Sequence, residues 1–231
     1  MTEQLALDLP VEVDFSPESY IASPANQDAR AALNRWRDWP DRRMALIGPE
    51  GSGKSHLGHI WAWQMEARIC TPDTMATTLE ELPSGAALVV EALDGALPEQ
   101  ALFHAINRAS EADISALLLT GRTPPAQWGA QLPDLVSRLR ATPQVALAEP
   151  DDEMLTALMQ KHLQDRRAPV KEGVIEYLLP RMERSVRAAR LIVERMDKRA
   201  LVKQTPITRA IARETLETWY QTEFEDDLAG S

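Results

Sequence analysis

The chain has 231 residues, 44% of them hydrophobic and 26% charged, with a formal net charge of −10 and one cysteine. This length lies between one large domain and two small ones and can bury a substantial core; the acidic balance argues against direct sequence-specific DNA binding as its main business, and the lone Cys70 excludes an internal disulfide and fits a reducing compartment as a free thiol. No apolar run reaches the ~18 residues that span a bilayer, and the opening MTEQLALDLPVEVDF carries acids and no basic segment, unlike a secretory signal, so a cytoplasmic protein with no membrane partner is expected.

Residues 1–20 read as a flexible, extended arm, because Pro10 and scattered acids discourage a long helix and the apolar residues Leu5, Leu7 and Leu9 alternate. QDARAALNRW (27–36) has helical spacing through Ala29, Ala32, Leu33 and Trp36. RMALIG is a short apolar run ending in glycine, the pattern of a buried parallel strand. SHLGHIWAWQM repeats apolar residues at Leu57, Ile60 and Trp61 and reads as a helix packed on that sheet, and ARICT as a second strand. GAALVVEAL is the third strand and, being the most apolar, is expected at the centre. EQALFHAINRASEA is a helix with Leu102, Ala105, Ile106 and Ala109 on one face; SALLLTG is a fourth strand, PPAQWGAQLPDLVSRLRA a loop leading to a short helix, and QVALA a fifth strand. Alternating strands and helices imply an α/β fold with a parallel sheet and helices on both faces.

Near Pro150 the pattern changes. DDEMLTALMQKHLQDR, KEGVIEYLLPRM, SVRAARLIVERMDKRAL and ITRAIARETLETWY are four helical segments with no strand between them, and Thr205 followed by Pro206 is the expected start of the last. EFEDDLAGS is expected to be a frayed acidic tail. The layout is an arm (1–20), an α/β domain (21–150), a small all-helical domain (151–222) and the tail (223–231).

GPEGSGKS, from Gly48 to Ser55, matches the phosphate-loop spacing, with an apolar strand before it and an amphipathic helix after it. The glycines allow a tight loop whose backbone N–H groups converge on one phosphate chain, and the helix beginning there adds its positive end. Gly48, Pro49, Gly51, Ser52, Gly53, Lys54, Ser55 and His56 are the expected ligand-binding residues, with Lys54 on the β and γ phosphates and the Ser55 hydroxyl on a magnesium ion if one is present.

With these residues in view, the chain resembles the AAA+ module of the bacterial replication initiator DnaA over roughly residues 15–220. PANQDARAAL is similar to the segment that closes over adenine, with Asn26 as the contact; GKSHLGH is close to GKTHLLHA; LLLTGRTPP lies where the sensor-1 strand enters a Pro-Pro turn. LPDLVSRL resembles the box that carries the arginine finger, which maps to Arg138, and SVRAARLIV resembles the sensor-2 helix, which maps to Arg187, although Arg184, Arg190 and Arg195 are equally available on the same segment. The resemblance implies a P-loop AAA+ parallel sheet followed by a helical lid.

Two departures from DnaA narrow the resemblance to the Hda family, the regulatory inactivators of DnaA. The expected lid is followed by no helix-turn-helix DNA-binding segment, and QLALDL resembles the short peptide that docks on the β sliding clamp of DNA polymerase III, with Gln4 making hydrogen bonds and Leu5, Leu7 and Leu9 filling an apolar cleft. The function this implies is negative regulation of replication initiation: binding of ADP (or ATP), docking on the clamp, and promotion of hydrolysis of DnaA-bound ATP by Arg138 supplied in trans, with homo-oligomers also open.

The third strand carries a further departure. Glu91 takes the place of the magnesium-side aspartate, and Ala92 the place of the second acid, which would accept a proton or orient water. The expectation is a kept nucleotide, spanning the α/β domain and lid through Lys54 and Arg187, with no turnover by this chain. Asp94 lies just past the strand end, and a shift in register that brings it into the site stays open. The alternatives are an autonomous AAA+ ATPase of helicase-loader type and a positioning factor using the arginine-rich helix. His56 and His59 suggest a metal pair only superficially, and the six tryptophans are read as core or interface.

Overall fold

The structure, a computed structural model, describes residues 20–229. Five strands form one parallel sheet: β1 (Arg43–Ile47), β2 (Arg68–Cys70), β3 (Ala87–Val90), β4 (Ala116–Gly121) and β5 (Gln144–Ala146), in the order β2-β3-β4-β1-β5. The middle place belongs to β4 and not, as expected, to β3. Six-residue β4 is buried along its whole length and pairs with β1 from Arg43↔Leu117 to Ile47↔Gly121. Apolarity marked β3 as interior but could not rank the three interior strands, β3, β4 and β1, since each has a neighbour on either side.

The helices of this part are α1 (Pro24–Asn34), α2 (Lys54–Met65), α3 (Met75–Glu81), α4 (Glu99–Ser110) and α5 (Pro133–Arg140). Because side chains alternate along a strand, the sheet feeds two cores. Leu88, Val90, Leu117 and Leu119 meet α3, α4 and α5, with Leu79, Leu102, Ile106 and Leu135 buried there. Ala87, Val89, Ala116 and Leu118 meet α1 and α2, where Leu33, Leu57 and Trp61 are buried and Trp39 stacks on Trp61 with centroids 5.3 Å apart. Each fully buried Leu or Val on this sheet contributes about 1.5–3 kcal/mol relative to exposure. Helix α3 was not foreseen; it is short, and its threonines give it little intrinsic helical preference.

A second, all-helical part follows: α6 (Asp152–Asp165), α7 (Val174–Leu178), α8 (Val186–Lys203) and α9 (Arg209–Ala229). Their apolar faces close a separate core around Leu155, Met159, Ile192, Val193, Met196, Ile211 and Trp219. The Asp151 carboxylate caps α6 by accepting from the Met154 amide at 2.7 Å, and the Ser185 hydroxyl caps α8 by accepting from the Ala188 amide at 3.0 Å. The last helix begins at Arg209 with Thr208 as its cap, in place of the expected start at Thr205-Pro206. Ile207 is instead taken up in a parallel bridge to Val170. Helical backbone runs on to Ala229, through most of the stretch read as an acidic tail.

Candidate nucleotide-binding cleft

Strand β1 delivers the chain to Gly48, and α2 begins six residues later at Lys54. Between them Gly51 (φ +71°) and Gly53 (φ +94°) adopt left-handed backbone that other residues reach only with strain. A Cβ at Gly51 would lie 2.3 Å from the Ser185 Cβ, so the loop can approach the cap of α8 only as glycine. The Gly51 carbonyl accepts a hydrogen bond from the Val186 amide at 2.9 Å. The phosphate loop therefore touches the lid through its own backbone.

Lys54 Nζ donates to the carbonyls of Gly48 (2.7 Å) and Pro49 (2.8 Å), which curls the side chain over its own loop. Partial burial lowers the Lys54 pKa; nearby Asp94 and Glu50 oppose that shift, and Arg122 adds to it. Ser52 is buried, and its hydroxyl has no hydrogen-bond partner among the described residues.

A cleft of about 400 Å³ opens above this loop. The loop and α2 supply Glu50, Gly51, Gly53, Lys54, Ser55 and His56; the strand ends supply Ala92, Asp94, Thr120 and Arg122; the lid supplies Leu158, His162, Val186, Arg187 and Arg190. Cationic groups thus approach from both sides, and several backbone and hydroxyl donors lie between them.

The acids are arranged differently from the sequence expectation. Glu91 does not line the cleft; it points to α2, where its Oε2 lies 3.3 Å from His59 Nε2 and its buried Oε1 has no hydrogen-bond partner among the described residues. Ala92 then turns into left-handed backbone (φ +58°), fixed by a hydrogen bond from its N–H to the Thr120 hydroxyl at 3.2 Å. That reversal brings Asp94 to the cleft, where its Oδ1 accepts from the Arg122 amide and its Oδ2 lies 3.9 Å from Arg122 Nε. Arg122 Nη2 in turn lies 2.9 Å from Glu50 Oε2, linking the strand end to the phosphate loop.

The structure sorts the four lid arginines. Arg187 and Arg190 line the cleft. Arg184 is committed elsewhere, with Nη1 2.6 Å from Asp152 Oδ1 and Nη2 3.2 Å from the Pro150 carbonyl, and Arg195 lies over the Trp219 ring at 4.7 Å. Burial lowers the Arg190 pKa, against the attraction of Glu194. His162 shares the lid side of the cleft; burial first, then Arg166 and Arg190, hold its pKa down at about 4, so the ring is neutral at pH 7.

Other singled-out residues lie apart from the cleft. Asn26 does not line it: its Nδ2 donates to the Ile21 carbonyl at 2.8 Å and its Oδ1 accepts from the Ser23 amide at 3.1 Å, so its amide fixes the start of α1. His56 and His59 do not converge; His56 lines the cleft, with the Tyr20 ring edge-on at 5.1 Å, while His59 faces Glu91. Arg138 is outside the cleft of its own chain, half-buried on α5 with its guanidinium 5.3 Å from the Phe103 centroid. Gln4, Leu5, Leu7 and Leu9 lie outside the described residues. Sequence reasoning gave no role to Arg122, although it lies within LLLTGRTPP, or to His162, which no motif marked.

The cleft fits a nucleotide: left-handed glycines leave room for phosphates, Lys54, Arg122, Arg187 and Arg190 supply positive charge, and Leu158 and Val186 offer apolar surface. Among the described residues no group of three His, Cys, Asp or Glu forms a metal cluster. The Ser55 hydroxyl and the Asp94 carboxylate are oxygen donors of the kind a magnesium ion accepts, and both line the cleft.

No family model matches the chain. In structure it is similar to domain III of the replication initiation protein DnaA of Thermotoga maritima, with a TM-score of 0.73 and 18% identity over 91% of this chain and 98% of that one. It is also similar to a DNA replication initiation factor (TM-score 0.66, 18% identity, 91% and 68% of the two chains) and to the RuvB Holliday junction branch migration motor of Thermotoga maritima (TM-score 0.64, 20% identity, 83% and 69%). The chain has the P-loop AAA+ fold: a five-stranded parallel sheet flanked by helices and followed by a helical lid.

Proposed function

We propose that this AAA+ chain is a regulatory module of the Hda kind, which keeps a bound nucleotide, ADP above all, and acts on the ATP of a DnaA-type partner. The reading rests chiefly on one observation. Ala92, which cannot accept a proton, lines the cleft at the end of β3, while Arg138 lies outside that cleft, half-buried on α5. The cleft's cations face a ligand of its own; Arg138 is left to serve a pocket in another molecule.

In this reading Lys54 and the loop amides hold the phosphates from the α/β side, Arg187 and Arg190 hold them from the lid side, and the nucleotide supplies a brace between the two. A guanidinium offered in trans to a neighbouring nucleotide raises hydrolysis by roughly 10³–10⁵ in other nucleotide-hydrolysing pairs. The arm is assigned to the β sliding clamp through Gln4, Leu5, Leu7 and Leu9, and the protein to the cytoplasm.

Hydrolysis of DnaA-bound ATP, measured with and without DNA-loaded clamp, tests the assignment. Addition of this chain speeds it in the presence of loaded clamp, and Gln4→Ala abolishes both clamp pull-down and the acceleration while the fold stays intact. No acceleration under either condition removes the regulatory reading.

Asp94 favours a second reading. It is a carboxylate that lines the same cleft as Ser55, and an autonomous ATPase would use it in place of the missing acid. Steady turnover by the purified chain alone, lost in Lys54→Ala and Asp94→Asn, would select this reading instead.

A further inference from the structure

Helix α5 carries Arg138 but has no N-terminal cap of its own: the side chain of Leu132, at the cap position, accepts no hydrogen bond, and Pro133 begins the first turn without an N–H. The acceptor comes from another element. Glu99, the first residue of α4, reaches across with both carboxylate oxygens: Oε1 accepts from the Gln131 amide at 2.7 Å and Oε2 from the Leu132 amide at 2.9 Å. The two donors are consecutive, so one carboxylate grips the chain where it turns into α5. Both bonds are charge-assisted, and as a pair they fix direction as well as distance.

An acid in the first turn of α4 also suits the positive end of that helix, but a side chain turned to solvent would serve there equally well. Glu99 is half-buried and directed at a segment 32 residues on. One turn later on the same face of α4, the Phe103 ring lies 5.3 Å from the Arg138 guanidinium. The far end of α5 is held separately: the Thr142 hydroxyl donates to the Arg138 carbonyl at 2.9 Å and accepts from Nε of the buried Arg43 at 3.1 Å. Between these ends Leu135 and Leu139 enter the core. Apolar burial is non-directional; it selects the face that α5 turns inward and leaves its slide and tilt to the bonds at its ends.

We propose that Glu99 is a positioning residue for Arg138: by gripping the Gln131 and Leu132 amides it sets the register and tilt of α5, and with them the place at which the guanidinium meets a partner's nucleotide. The inference rests on the reading of Arg138 as acting in trans and adds the group that aims it. Arg138 follows Pro133 by five residues, roughly 8 Å along the helix axis, so a shift of the first turn is carried directly to it. A misplacement of about 1 Å at a reacting group can cost about 10²-fold in rate.

The test titrates acceleration of partner ATP hydrolysis with the full chain and with Glu99→Ala, Glu99→Gln, Arg138→Ala and the double variant Glu99→Ala/Arg138→Ala. Glu99→Ala lowers the maximal acceleration by roughly ten- to a hundredfold and leaves the half-maximal concentration and ADP binding as they were. Glu99→Gln, which keeps one of the two acceptor oxygens, falls between. The double variant is no worse than Arg138→Ala, because a residue that acts only through another adds nothing once that other is gone. Independently of any partner, hydrogen exchange at the Gln131 and Leu132 amides quickens in Glu99→Ala. Full acceleration by Glu99→Ala, or a loss that adds to that of Arg138→Ala, overturns the proposal. A raised half-maximal concentration with the maximum intact makes Glu99 a docking group, and loss of ADP binding assigns it to folding; either result overturns the positioning role. Exchange equally fast in both chains overturns the tether itself. No acceleration by the unmodified chain overturns instead the parent reading of action in trans.

Discussion

The Val186 amide donates to the Gly51 carbonyl at 2.9 Å, and the Ser185 side chain occupies the space a Cβ on Gly51 would need. The phosphate loop and the first turn of the lid's longest fully described helix are therefore parts of one joint. Changes in the loop are felt in the lid before any side chain is involved.

Gly51→Ala tests this joint. Left-handed backbone at a non-glycine residue costs about 1–3 kcal/mol, and here the new methyl also pushes Ser185 away. The expected result is a lower melting temperature, together with faster protease cleavage between β5 and α6, where the two parts join. A variant that melts and is cleaved like the parent would show that the loop and lid tolerate separation.

Lys54→Ala addresses the ligand. A ligand bound only by the folded state at a hundredfold excess over its dissociation constant stabilises by about 2.7 kcal/mol. For a chain of this size that corresponds to roughly 5–10 °C in melting temperature. ADP should raise the melting temperature of the parent by that order and leave Lys54→Ala nearly unmoved, with both measured by differential scanning calorimetry.

Arg138→Ala separates action in trans from folding. Its guanidinium lies over Phe103, a contact worth about 0.5–1 kcal/mol at an exposed site. Stability and ADP binding should therefore change little, whereas acceleration of partner ATP hydrolysis should fall by about 10³-fold or more. Arg138→Lys should fail to restore it, since lysine keeps the charge but lacks the planar fork.

His162 gives a pH dependence with a defined sign. Its folded pKa is depressed to about 4 by burial, then by Arg166 and Arg190, with Asp165 opposing and Lys161 adding. The unfolded chain, with an ordinary histidine near 6.5, binds more protons between these values. Stability is thus unaffected above about pH 6.5, falls as the pH drops through the unfolded value, and bears the full penalty only below about 4. His162→Gln should flatten this part of the stability profile. An anionic ligand in the cleft should raise the His162 pKa, so NMR titration should move upward on adding ADP, and ADP affinity should rise as the solution is acidified through the same range.

Much of the fold could be read from the chain because it depends on local regularities. RMALI and ALLLTG are apolar along their length, α4 repeats Leu102, Ala105, Ile106 and Ala109 on one side, and the glycine spacing of the phosphate loop admits few conformations. Of the lid arginines that the sequence offered, Arg187 and Arg190 line the cleft. What escaped depends on neighbours distant in sequence. Ala92 takes left-handed backbone with its N–H donated to the hydroxyl of Thr120, 28 residues on; without that knowledge Glu91 looks like the cleft acid and Asp94 stays an open alternative. Asn26 was read as a ligand contact, but its amide is spent on Ile21 and Ser23, a local turn that no motif announced. Arg122 needed Glu50 and Asp94 around it to become noticeable.

Tyr20, the first described residue, has its hydroxyl pushed up to about 12 by burial, with Arg30 pulling the other way, and its ring meets His56 at the mouth of the cleft. The described chain thus enters the fold against His56, one of the residues that line the cleft, so the start of α1 and the ligand's chamber share a wall.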